Sequence, residues 1–124
     1  FLNGESDLVL SYTTSPAYHL IAEDDAKYAS ADFAEGPYMQ VEVAAKVKGS
    51  KNAELADECM NFILSDDVQS AMPTGNWMYP VTDVELPKGF ETLSVPSKPL
   101  SFSADEVAKM RKTWIREWQS ALTF

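Results

Sequence analysis

Five of the seven prolines in this chain, Pro73, Pro80, Pro87, Pro96 and Pro99, crowd into one stretch that also holds Gly75 and Gly89. Proline fixes φ and donates no backbone hydrogen bond, so no long helix and no interior strand can cross such a stretch. Pro73 to Ser101 is therefore expected to be a loop or a crossing. Trp77, Tyr79 and Phe90 give it apolar anchors, which argues for an ordered path and against a floppy linker. Regular structure is confined to the residues before it and to one segment after it.

Upstream, Leu8 to Tyr12 is a short apolar run that leads into the polar turn Thr13-Thr14-Ser15-Pro16, the pattern of a buried strand. Ser15 is placed to cap a helix with Pro16 at its first position, where the missing N–H costs nothing. Glu23-Asp24-Asp25 closes that apolar stretch, and the chain through Glu35-Gly36-Pro37 reads as surface loop. Tyr38 to Val47 alternates with period two, the signature of a strand with one buried face, and Gly49 stops it. Asn52 is an N-cap candidate for a helix whose Leu55, Cys59, Phe62 and Ile63 form an apolar stripe ending near Ser65. Ser65 begins a second short helix, with Asp66 and Asp67 in its first turn and Pro73 as its terminator. After the proline-rich stretch, Ser103 and Glu106 form a capping box ahead of Val107, Met110, Trp114, Trp118 and Leu122. The mixed order of strands and helices makes the class α/β.

Composition closes several alternatives. The 45% apolar and 23% charged content fits a chain that folds. Nineteen acidic residues against ten basic ones give a net charge of −9, which repels a phosphate backbone and disfavours nucleic acid as a partner. The longest stretches without Asp, Glu, Lys or Arg, Leu8 to Ala22 and Val68 to Thr82, are broken by proline and fall short of the ~20 residues a membrane-crossing helix needs. A single cysteine, Cys59, leaves neither an intrachain disulfide nor a cysteine-rich zinc site. The opening Phe1-Leu2-Asn3-Gly4-Glu5, without an initiator Met or a signal segment, reads as the interior of a longer chain.

The two charge-free stretches carry the chemistry. Each sets aromatic rings beside small hydroxyl or amide groups in a turn-rich context, the make-up of a ligand pocket, and together they offer Tyr12, Thr13, Thr14, Ser15, Tyr18, Asn76, Trp77 and Tyr79. For Tyr12, core packing and ligand contact are both open; Trp77, after Gly75-Asn76 in an irregular loop, has no periodic reason to be buried. Clustered rings on an acidic domain suit a cationic or aromatic small molecule. Thr13, Thr14 and Ser15 ahead of a helix start suit either capping or an anion such as phosphate. His19, the single histidine, reads as a half-buried ring bonded to backbone and not as a metal ligand. Cys59 reads as a small core residue, and Trp114 with Trp118 as a packing pair. The acidic runs at 23–25 and 66–67 read as solvated surface, and no catalytic constellation and no metal site is formed.

Three segments carry a resemblance. Asp7-Leu8-Val9-Leu10-Ser11-Tyr12-Thr13-Thr14-Ser15-Pro16-Ala17-Tyr18-His19, Tyr38 to Ala45, and Pro73-Thr74-Gly75-Asn76-Trp77-Met78-Tyr79-Pro80 closely resemble the thiamine-binding periplasmic proteins of bacterial ABC importers. The resemblance covers essentially residues 1–124 and corresponds to the C-terminal portion of that family. It implies part of the C-terminal lobe of a two-lobed type II periplasmic-binding-protein fold, a non-enzymatic receptor that closes on thiamine or a thiamine phosphate and delivers it to a membrane permease. The family's aromatic ligand contacts match Tyr12, Tyr18 and Trp77; Ser15 and Asn76 are added for their place beside those rings. No cofactor is implied, and an acidic ligand contact is expected from the absent N-terminal portion. The competing readings are an interaction module that uses exposed aromatic clefts for a protein partner or for a second copy of the chain, and a small enzyme, which one histidine and one cysteine disfavour.

Overall fold

The computed structural model describes residues 1–123. Its regular structure is helical: α1 at Ser15–Glu23, α2 at Ala53–Ile63, α3 at Asp66–Gly75 and α4 at Ala104–Leu122, with a 3-10 turn at Phe90–Thr92. The chain divides into two compact units, one built from Phe1–Asp32 and Val41–Val95, the other from Phe33–Gln40 and the chain from Pro96 onward.

In the first unit α1 begins one residue earlier than the sequence implies. Thr14, not Ser15, takes the N-cap position, and its side chain makes no bond to the helix. Asp24 ends α1 in the left-handed region at φ 53°, and the Asp25 N–H donates to the His19 carbonyl at 3.0 Å. Ala17 on α1 is fully buried and shares a small core with Phe90 and Leu93. Gly89, at φ 111°, lets the turn that carries Phe90 lie against α1: a Cβ there would sit 3.1 Å from Ile21 Cγ1 and 3.2 Å from Leu20 Cδ2. The expected helices after Asn52 and Ser65 both form, although neither cap side chain bonds its own helix, and the Ser65 hydroxyl donates to the Phe62 carbonyl instead.

Pro73 does not end α3, contrary to the sequence reading. It is buried inside the helix, which runs on to Gly75, and the Asn76 N–H still reaches the Met72 carbonyl at 2.9 Å. At this position proline forfeits the backbone bond to the Gln69 carbonyl and crowds that carbonyl, and the helix ends two residues later. Gln69 of α3 is 4% exposed and bonded at both ends of its amide: it donates to the Ile63 carbonyl at 2.7 Å and accepts from the Val81 N–H at 2.8 Å. One side chain thus ties the end of α2 to the segment that follows Trp77.

In the second unit Ser103 caps α4 as expected, accepting from the Glu106 N–H at 3.2 Å. Trp114 does not pair with Trp118. It packs on Phe102 with ring centroids 5.0 Å apart, Phe102 stacks on Tyr38 at 6.0 Å, and Trp118 is exposed. Gly36, at φ 84°, is required where the chain closes on itself, because a Cβ there would overlap the Lys98 carbonyl oxygen. A parallel bridge joins Tyr38 to Leu100, through Met39 N–H to the Leu100 carbonyl and Leu100 N–H to the Pro37 carbonyl, each 2.8 Å.

The two expected strands are not paired as strands. Leu8 to Tyr12 lies outside helices and turns without a ladder, and Tyr38 to Val47 makes only that one bridge among the described residues. Alternation gives a segment the faces of a strand, but a strand exists only with a neighbour to share its backbone bonds, and beyond the Tyr38–Leu100 bridge none occurs among the described residues. The same reason overturns the burial expected of α2, whose Leu55, Phe62 and Cys59 are exposed for want of an opposing surface.

Candidate ligand-binding site

The residues singled out in the sequence lie in the first unit, and the structure joins the two charge-free stretches at one point. Tyr18 and Trp77, 59 positions apart in sequence, meet edge to face, with centroids 5.1 Å apart and ring planes at 90°. That geometry sets the positive edge of one ring against the negative face of the other and leaves further π surface for a ligand. Behind the pair, the buried Thr14 hydroxyl donates to the Trp77 carbonyl at 2.6 Å. Trp77 is half-buried and Tyr18 partly exposed, so the pair sits at a surface and not in the core.

The other candidates are placed less centrally. Tyr12 is exposed one turn before α1, its carbonyl accepting from the Ser15 N–H at 3.0 Å; its ring makes no aromatic contact with Trp77 or Tyr18, and core packing is excluded. The Ser15 hydroxyl is paired with that of Ser11 at 2.6 Å. Asn76 donates its side-chain amide to a Glu42 carboxylate oxygen at 2.9 Å. Tyr79 is itself exposed but stands edge-on to the core ring of Phe90 at 5.6 Å, and desolvation of its phenol pushes it above the usual range.

His19 is not bonded to backbone. Its Nδ1 lies 2.6 Å from the Glu23 carboxylate, one helical turn on, and its ring packs against Tyr28 at 4.2 Å. Glu23 serves both neighbours. Hydrogen bonding and the charge of its carboxylate raise the Tyr18 phenol pKa, while the His19 bond first and the Tyr18 bond next hold Glu23 below the ordinary carboxylate range. The nearby Lys27 is pushed up to about 12, chiefly by Asp25 at 2.7 Å, and lies 4.8 Å over the Tyr28 ring. Glu23 had a legible signal in the i, i+4 spacing from His19. Glu42 and the Thr14 contact had none, because the chain separations of 34 and 63 positions carry no local periodicity. No group of side chains suited to a metal ion occurs among the described residues.

The chain resembles known proteins along nearly its whole length. The bacterial extracellular solute-binding protein family matches residues 4–103. A thiamine-binding periplasmic protein of Salmonella typhimurium is 58% identical and one of Escherichia coli 57% identical, each over 99% of this chain and 38% of its own length. A solved structure of a periplasmic thiamin binding protein superposes with a TM-score of 0.89 at 56% identity, covering 100% of this chain and 39% of that one. This chain therefore spans well under half the length of the relatives it matches, and its fold is that of a portion of a solute-binding protein, in line with the α/β expectation. Identity above one half, sustained with a superposition that includes every part of the chain, does not arise between unrelated folds, and the chain belongs to the bacterial extracellular solute-binding protein family.

Proposed function

We propose that this chain is the C-terminal portion of a periplasmic receptor that binds thiamine or a thiamine phosphate and hands it to the permease of an ABC importer. It supplies one wall of the ligand cleft and performs no catalysis. The observation that carries the reading is the Tyr18–Trp77 pair, an aromatic corner built from two distant stretches at the surface. Thiamine presents a quaternary thiazolium and a flat pyrimidine. A desolvated ring face contributes about 0.5 to 2 kcal/mol to a cation, and the net charge of −9 favours approach of a positively charged ligand. Tyr12 joins the wall, Ser15 and Asn76 flank it, and the bonds these two make to Ser11 and Glu42 hold their polar groups in fixed places. The names of the relatives support the choice of thiamine and the periplasmic location.

One wall is not a binding site. Closure of two lobes buries a ligand on both sides, and a single lobe keeps only part of that contact while bearing the full entropic cost of association. The test is calorimetric titration of thiamine into the full-length receptor and into this chain alone. Binding by the receptor with none by the chain is the expected result. A micromolar or tighter dissociation constant for the isolated chain would overturn the shared cleft, and absence of binding by both would overturn thiamine as the ligand.

A further inference from the structure

Trp77 carries the unusual backbone of the site. Its φ of 55° lies in the left-handed region, which glycine occupies freely and a residue with a bulky side chain seldom does. Gly75, two positions earlier, ends α3 without positive φ, so the reversal out of the helix falls on the aromatic residue itself. A conformation of this kind persists only where its surroundings over-determine it. Two contacts meet that need. The Tyr18 ring stands edge-on to the indole at 5.1 Å, and the hydroxyl of Thr14, 5% exposed, donates to the Trp77 carbonyl at 2.6 Å.

We propose that Thr14 is a positioning residue: its hydroxyl latches the left-handed backbone of Trp77, and through that backbone holds the indole at the angle from which Tyr18 and Trp77 form one ligand-facing corner. This deepens the reading of the Tyr18–Trp77 corner as the ligand wall and rests on it for its functional consequence. It also assigns Thr14, one of the three hydroxyl residues ahead of α1, differently from an anion site. A hydroxyl has one proton to give, and that of Thr14 goes to Trp77 and not to a phosphate, while the N-cap position it occupies receives no side-chain bond at all.

The test reads Trp77 directly. With 5-fluorotryptophan incorporated into the whole chain, the three tryptophans give three fluorine resonances, and Trp77→Phe identifies the one that matters. Thr14→Val keeps the branched shape and removes the donor; Thr14→Ser keeps the donor. Thr14→Val is expected to shift or broaden the Trp77 resonance and leave those of Trp114 and Trp118 in place, and Thr14→Ser is expected to restore it. Thr14→Ala, which adds no bulk, takes the place of Thr14→Val where circular dichroism shows that variant unfolded. In the full-length receptor, loss of the latch should weaken thiamine binding about tenfold, the scale of one buried hydrogen bond, with Thr14→Ser near the parent. An unmoved Trp77 resonance in the donor-less variant, or one displaced equally by serine and by valine, would overturn the latch. The fluorine result is obtained without ligand, so a receptor that ignores thiamine would sink the ligand reading and leave the latch decided on its own signal.

Discussion

At the scale of single residues, Glu23 is the group through which pH acts on the ligand wall. Its carboxyl is held below the ordinary range by the His19 bond, so it gives stability that is present above the unfolded carboxylate pKa and is lost as pH falls through its lower folded value. Asp25, lowered by Lys27, acts in the same direction and the same acidic window. Tyr18 carries the opposite sign. Its phenol is raised, so its contribution is complete below the ordinary tyrosine value and is lost as pH climbs through the folded one. Glu23→Gln is therefore expected to flatten the acid limb of a melting-temperature profile and to bring the phenolate titration of Tyr18, followed by ultraviolet absorbance, back toward its ordinary value. A Tyr18 titration unmoved by the substitution would show that Glu23 does not govern the ring. The residue chemistry was largely open to reading from the sequence: Tyr18 and Trp77 declared themselves by standing in charge-free stretches rich in turns. What could not be read was which atoms serve which. The hydroxyl of Thr14 has several acceptors available in an unfolded view, and only the fold brings the Trp77 carbonyl within 2.6 Å of it.

At the scale of elements, the helices were legible because their signals are local: a capping residue, acids in the first turn, an apolar stripe. Their edges and burial were not. Pro73 reads as a stop signal, yet α3 carries its buried ring and runs on to Gly75. Gln69 reads as a polar helix residue, and the structure makes it the fastening between α2, α3 and the chain beyond Trp77. Replacing it by leucine keeps the bulk but removes the part-buried bonds to the Ile63 carbonyl and from the Val81 N–H. The expected cost is about 1 to 3 kcal/mol, two hydrogen bonds at about 0.5 to 1.5 kcal/mol each, measured by denaturant unfolding. Faster hydrogen exchange at Val81 should accompany it. Exchange at Val81 unchanged from the parent would mean that the segment after Trp77 is held by something other than Gln69. Because that segment leads directly out of the aromatic corner, the Gln69 bonds work alongside the Thr14 latch: one fixes the chain just after Trp77, the other fixes Trp77 itself.

At the scale of the whole molecule, the strands expected at Leu8 to Tyr12 and Tyr38 to Val47 carry the right side-chain pattern and, beyond the Tyr38–Leu100 bridge, have no partner among the described residues. Leu10 is 86% exposed and Val43 87%, and Leu8, Val9 and Val41 are exposed with them. A segment with alternating apolar side chains and free backbone groups is a template for another strand, and it stays solitary only if something covers it. In the proposed receptor, the remainder of the protein would supply that cover. For the chain alone, the available partner is a second copy. The isolated chain is thus expected to sediment above the 13.8 kDa of a monomer as its concentration is raised. Lysine at both Val41 and Val43 should return it to the monomer, since a charge on each of two successive outward positions makes the same face costly to bury in a partner. The full-length receptor should stay monomeric with or without those lysines if the segment is merely exposed there, and should lose stability on their introduction if the segment is covered. A chain that sediments as a monomer at every concentration would show that these segments are self-sufficient, and would remove the physical ground for assigning them a missing neighbour.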